Sequence, residues 1–483
     1  MQPEVSAKRR GRRLCTTILC VAIIFLGTVW CGNSTAAPYN SAFTTSSSQC
    51  QGTNTTPLTG EAVLTLAIPE GPNITLCHLR ASDGTLLRHF NLAIHGDIIG
   101  QGDGLLYINE RGGTNGNSLA LCAVQMDNGV TRWCQTQVKQ ANNTQHTSSI
   151  SINNGTVYAQ GVDMVAWTLT LFAINETSGD IIWSKQTSLD PKVSQPVMIA
   201  GQDQVYLVVY QAPPVSASGT ATAGTQATNQ DDGTRSLCAF EATTGQQSWC
   251  RTFPYENVES LAMDGNALYV RASDAWGSRN FFLYALDATS GTINWHQSFT
   301  GESGHIVLII ARGVLVTNLY DDADKVAEDK LVALRTNDGH LLWQRSLHSE
   351  FTTMNSAGSR IYLVTESVRF QALNLADGTE AWSNTISDPS QYLTVKSSSI
   401  LVGQTSVYVA VSTFQTDSMN LMAVQASNGK QLWNDPSCNA TPTASTTSPA
   451  TPGQADTGTA GRCHWQYNQR YSNMGVQLLQ LSA

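Results

Sequence analysis

One phrase recurs eight times along this chain, and few folds can accommodate it. Anchored on its glycine, the phrase falls at Gly84, Gly129, Gly179, Gly245, Gly291, Gly339, Gly378 and Gly429, at spacings of 45, 50, 66, 46, 48, 39 and 51 residues. Six residues before the glycine stands Ala in seven copies: Ala123, Ala173, Ala239, Ala285, Ala333, Ala372 and Ala423. Four residues after it stands Trp in the same seven: Trp133, Trp183, Trp249, Trp295, Trp343, Trp382 and Trp433. The first copy departs at both places, with His78 and Arg88. A unit of this length cannot bury its apolar face alone, so the copies must stack on one another.

Each copy resolves into four short strands. Apolar runs with a central Tyr (Tyr107, Tyr158, Tyr206, Tyr269, Tyr362, Tyr408) follow turn pairs such as Asp103-Gly104, Asn154-Gly155 and Asp264-Gly265. Before each turn lies another strand-like run, and after a variable loop come the Ala strand, the Gly turn and the Trp strand. Four strands, A to D, in about 40–50 residues mark a β-propeller blade. The fold class is therefore all-β: an eight-bladed propeller of four-stranded antiparallel blades over residues 61–483. The glycine suits the positive φ of a tight hairpin. The Trp ring can fill the space between neighbouring sheets while its N–H finds a carbonyl, and the Ala leaves room for it. The seven tryptophans are expected to be structural docking residues.

Ala, then Gly at the seventh position and Trp at the eleventh, resembles the tryptophan-docking repeat of the pyrroloquinoline quinone (PQQ) propellers. That superfamily holds quinoprotein dehydrogenases and non-catalytic propellers such as the lipoprotein of the outer-membrane barrel-assembly machinery. The resemblance implies either a protein-binding scaffold or an oxidoreductase using PQQ with Ca²⁺. The enzymes carry adjacent disulfide-bonded cysteines beside the quinone, and some an attached haem; this chain has no adjacent cysteines and no Cys-x-x-Cys-His. A non-catalytic scaffold without a cofactor is the favoured reading.

The first unit reads as strands B, C and D (62–67, 73–81, 85–91) with no strand A before them, and Val476–Leu481 is left over at the other end. That orphan is expected to complete blade one, and the failed motif places the broken docking rule where the ring closes. The A–B and C–D turns are short and alike, whereas the B–C and D–A connections vary. Binding residues usually sit on loops held by a rigid scaffold, so the face with the long connections is the expected site. Two insertions on it, Ala212–Ser236 and Asn439–Arg462, are low in complexity and expected to be disordered. Trp276, Trp465 and the acidic group Asp321, Asp322 and Asp324 are its possible ligand or partner residues. The acidic loop could hold Ca²⁺, but Lys325 and Lys330 favour a solvated loop. His78 and His89 could face one another across the first hairpin.

Lys8–Arg13 precedes eighteen uncharged residues, Leu14–Cys31. The basic residues 1–13 are expected to stay cytoplasmic, with 14–31 a retained signal-anchor. Alternatively, cleavage near Ser34-Thr35-Ala36 would release a secreted chain. Residues 32–60 form a polar linker. The body of the chain then lies outside the cytoplasm, tethered to the membrane and facing an envelope or cell-surface protein, or a carbohydrate. Net charge is −9; five basic residues against Glu4 make the N-terminus +4, so the remainder carries −13 and a nucleic-acid partner is disfavoured.

Outside the membrane segment there are eight cysteines, a number that suits disulfides in an oxidising compartment. Cys122–Cys134 and Cys238–Cys250 each bracket a C–D hairpin twelve residues apart, so each pair can meet across two strands. Cys438 and Cys463 bracket the second insertion, and Cys50 with Cys77 pair by elimination. No spacing suggests a metal site.

Overall fold

The computed structural model describes residues 62–435 and 477–482, apart from 71–72, 95, 112–118, 137–149, 164–167, 189–196, 212–233, 254–256, 274–279, 301–307, 322–327, 348, 387–394 and 414–418. The expected tail, membrane segment and linker (1–60) lie outside the described residues, as does the insertion at 439–462. Among the described residues no helix is long and apolar enough to cross a membrane.

The described strands form eight four-stranded sheets. Seven are antiparallel meanders in chain order; the fifth, for example, runs Asn257–Asp264, Ala267–Ser273, Asn280–Asp287 and Ile293–Thr300. Burial follows from stacking. On the fifth blade's strand B, Leu268 to Ser273 are all buried, so both faces of that strand are covered, whereas strand D buries chiefly Trp295. A strand clad on both sides loses the polar alternation of a half-exposed sheet. The buried apolar residues accordingly fall into eight packets, each shared by two adjacent blades, rather than into one central core.

The first sheet is the exception in connectivity. Val63–Glu70, Asn73–Arg80 and Leu86–Asn91 supply three strands, and Gln477–Ser482 pairs antiparallel with Val63–Glu70 to make the fourth. The register joins Val63 to Ser482 and Ala67 to Gln477 across one bulge. The chain's last strand thus covers the edge that the first blade would otherwise leave open, one residue further on than the sequence suggests. Residues 234–236, expected in the first insertion, instead begin strand Thr234–Glu241, because Thr234, Arg235 and Ser236 continue the ladder against Gln211, Tyr210 and Val209.

Candidate functional site: the first blade junction

Within each blade the motif Trp lies opposite the motif Ala, as Trp295 does opposite Ala285. Its ring reaches across to the next blade and does two things there. The indole N–H donates to the carbonyl three residues before the next glycine: Trp133 to Glu176 O (2.8 Å), Trp183 to Ala242 O (2.9 Å), Trp249 to Ala288 O (3.0 Å) and Trp295 to Thr336 O (2.8 Å). Trp343 to Leu375 O (2.8 Å), Trp382 to Ala426 O (3.1 Å) and Trp433 to Ala81 O (2.9 Å) complete the series. The ring face also covers the glycine itself. A Cβ built on Gly339 (φ +70°) would stand 2.6 Å from the Trp295 ring, so that position needs glycine for both its conformation and its closeness.

A strand-B tyrosine backs the tryptophan at most junctions, with ring centroids 5.9–6.1 Å apart for Tyr107, Tyr158, Tyr206, Tyr269, Tyr362 and Tyr408. The Tyr206, Tyr269 and Tyr158 hydroxyls donate to the same carbonyls as their tryptophans, at 3.1, 3.2 and 3.3 Å. Burial pushes the Tyr206 hydroxyl up to about 12, with Asp287 and Asp203 acting the same way. It therefore remains a donor throughout the ordinary pH range.

Ring closure obeys this rule. Trp433 docks the eighth blade on the first, with its ring 2.9 Å from a Cβ on Gly84. The expectation that the rule breaks where the chain closes is therefore corrected: it breaks one junction later, because each blade's tryptophan serves the blade that follows. At the first-to-second junction Thr65 stands in the tyrosine place, His78 in the alanine place and Arg88 in the tryptophan place. The two jobs of the missing indole are divided. His78 Nε2 lies 2.7 Å from Met126 O, the carbonyl equivalent to the other seven acceptors. Phe90 covers the glycine, its Cβ 3.1 Å from a Cβ on Gly129.

Arg88 settles the imidazole's chemistry. Its Nε–H donates to His78 Nδ1 at 2.8 Å, so Nδ1 is the acceptor and Nε2 carries the proton given to Met126 O. His78 is only 2% exposed. Burial holds its pKa below the ordinary histidine value; the bond to Met126 O opposes this, and the Arg88 charge adds to it. The guanidinium sits 5.4 Å from the Phe90 ring centroid. His89 does not face His78: it pairs with Cys77 on the other side of the strand, since neighbouring residues alternate faces.

The substitutions leave a cavity of about 360 Å³ between blades one and two. Thr65, His78, Arg88, Asp103, Asp127 and Arg132 supply its polar walls. Asp103 and Asp127 come from the A–B and C–D turns of blade two, so the cavity opens on the face of short, uniform turns. A second cavity, of about 610 Å³, flanks the first blade on its other side, lined by Val402–Ser406, Tyr408 and Ala62 and by no charged side chain.

Trp276, Trp465, Asp322 and Asp324 lie outside the described residues, and Asp321 is described only as the end of strand Val314–Asp321. Cys122–Cys134 and Cys238–Cys250 are disulfides, with Cα atoms 4.1 and 4.0 Å apart. Cys50, Cys438 and Cys463 lie outside the described residues; Cys77 is buried. Glu110 stands beside Cys122 and Cys134, but those sulfurs are spent on each other. Thr65, Phe90 and Arg132 escaped the sequence pattern. Thr65 is recoverable by aligning the tyrosine places, whereas nothing short of the sheet register identifies Phe90.

The family model described as outer membrane protein assembly factor BamB matches residues 171–308 and 279–454, together more than half of the 483 residues. The protein of that name from Shewanella oneidensis is 25% identical over 152 residues, 31% of this chain and 38% of that relative. The match thus spans well under two thirds of the relative's length. Among solved structures, BamB from Moraxella catarrhalis is 15% identical, with 71% of this chain and 92% of that one covered and a TM-score of 0.41. Dihydro-heme d1 dehydrogenase NirN is 9% identical, with 77% and 72% covered and a TM-score of 0.50, a likeness of fold alone.

Proposed function

The chain belongs to the outer membrane protein assembly factor BamB family, and on that premise we propose that it is a non-catalytic binding scaffold outside the cytoplasm. The family match is the observation that carries this reading. The geometry supports it: the repeated residues are spent on holding blades together, and chemistry is left to the places where copies differ. Two disulfides suit an oxidising compartment. The basic cluster at 8–13 and the uncharged stretch 14–31 serve as a membrane tether, residues 32–60 as the linker, and an envelope or cell-surface protein as the partner.

Site-specific photocrosslinking tests the proposal. A photoreactive residue replacing Asn128, exposed on the second blade's C–D turn, is expected to give a discrete adduct with one envelope protein in intact cells. The reading is overturned if no adduct forms there or at Trp276. It is also overturned if the purified chain, given PQQ and Ca²⁺, reduces a dye at the expense of an alcohol or sugar.

A further inference from the structure

Six of the eight junctions hold two rings, a tyrosine tilted against a tryptophan whose face covers the next blade's glycine. The first junction keeps the hydrogen bond through His78 and the glycine cover through Phe90. Thr65 and Arg88 occupy the tyrosine and tryptophan places, so those two rings are replaced by the smaller pair His78 and Phe90, with centroids 5.5 Å apart. What remains is the cavity of about 360 Å³, at the small end of ligand pockets. That size suits a single ring-bearing residue better than a multi-ring cofactor.

The walls are charged in a balanced way. Arg88 uses its Nε on His78 and has no ion-pair partner among the described residues; Arg132, Asp103 and Asp127 have none either. Two guanidinium groups and two carboxylates around a ring-sized space match one kind of ligand chemistry. An aromatic ring would enter the vacated place, a carboxylate would meet the guanidinium groups, and an ammonium the two aspartates.

We propose that the cavity between blades one and two binds an aromatic amino-acid side chain carried beside opposite charges, its phenol or indole ring taking the place that tyrosine and tryptophan fill at six other junctions. The ring comes either from the free zwitterionic amino acid or from an exposed tyrosine or tryptophan of a partner protein, flanked by charged residues. Aromatic anchors in pockets are the usual energetic centres of protein interfaces. Ring binding here does not depend on the scaffold function: it stands or falls with this cavity, and loss of the Asn128 crosslink leaves it untouched.

The test is titration of the full-length chain with L-tyrosine and L-tryptophan, followed by calorimetry and by saturation transfer to the ring protons. N-acetyl-L-tyrosinamide is the uncharged arm and L-leucine the ringless control. Saturable binding of the aromatic probes over leucine is expected, with Thr65→Tyr weakening it at least about tenfold. The variant Thr65→Tyr/His78→Ala/Arg88→Trp/Phe90→Gln, which rebuilds the motif of the other blades and clears Phe90 from over Gly129, is expected to abolish it while remaining cooperatively folded. Binding that favours the free amino acids, and weakens with Arg132→Ala, identifies the small molecule as the source. Tighter binding of an N-acetylated, C-amidated Asp-Tyr-Lys peptide than of the free amino acids identifies a partner's side chain, whereas equal or tighter binding of the uncharged amide overturns the charge match. Failure of every aromatic probe to saturate overturns the proposal, as does binding that survives in a well-folded Thr65→Tyr variant.

Discussion

The first and fifth junctions solve the same docking problem with opposite chemistry. At the fifth, Trp295 supplies ring and hydrogen bond together, with Tyr269 behind it. Deeper in the same junction a wholly buried ion pair joins Arg271 to Glu259 at 2.9 Å, with side chains 0% and 2% exposed. Arg271 also donates to Thr317 Oγ1 (2.8 Å) and Asn318 O (2.7 Å) of the sixth blade and lies 4.4 Å from the Phe281 ring centroid. At the first junction no indole is present, an imidazole makes the one shared hydrogen bond, and a charged cavity remains open. The carbonyl acceptor is the invariant part of the docking rule, and the donor is exchangeable. A filled junction is a fastener; one that keeps the fastener's hydrogen bond but not its tyrosine and tryptophan has room for a guest.

The comparison is broken most severely at the fifth junction. Trp295→Ala is expected to cost about 3–5 kcal/mol, read as a lower urea midpoint with an unchanged slope. Arg271→Met strands a buried carboxylate and should cost about 3–5 kcal/mol. Adding Glu259→Gln should recover most of that loss in a double-mutant cycle; no recovery would show that the pair is not the cause. His78→Ala at the first junction removes one donor and leaves Met126 O wanting, an expected loss of about 1–3 kcal/mol. A His78→Ala loss equal to that of Trp295→Ala would erase the distinction between the two junctions.

The smallest effect concerns pH. In the unfolded chain His78 titrates near its ordinary value of about 6.5, whereas in the folded chain burial first, and then Arg88, hold it lower. Below about 6.5 the unfolded state therefore takes up more protons, and stability falls as pH drops toward the folded value. Protonated Nδ1 would face the Arg88 donor instead of accepting from it. Asp127, which pulls the other way, limits the shift. Unfolding free energies between about pH 7 and pH 5 should decline less steeply in His78→Ala than in the parent.

Much of the frame was legible because propeller blades repeat. Ala285, Gly291 and Trp295 announce a hairpin and its bulky docking ring from spacing alone, and Cys122 with Cys134 announce a bridge across such a hairpin. The leftover apolar run near the C-terminus identified the closing strand, since an unpaired edge needs a partner. The site was less legible. His78 and Arg88 stood out as departures, but their meaning depends on which blade each strand faces, and the sequence expectation placed the break at closure. Arg271 gave no signal, because a single arginine in an apolar strand does not reveal the Glu259 and Asn318 that surround it.

The sequence by itself determined the number of blades, the positions of the seven docking tryptophans and the two hairpin disulfides. These follow from local hydrogen bonding and from a pattern that every copy repeats. Only the tertiary structure decided that His78, Arg88 and Phe90 share the work of one tryptophan, and that a charged cavity lies where the rings are missing. Those properties arise between blades, from residues such as Arg88 and Arg132 that are 44 positions apart in the chain. Spacing rules govern what lies within one sheet, and nothing local records what the next sheet brings against it.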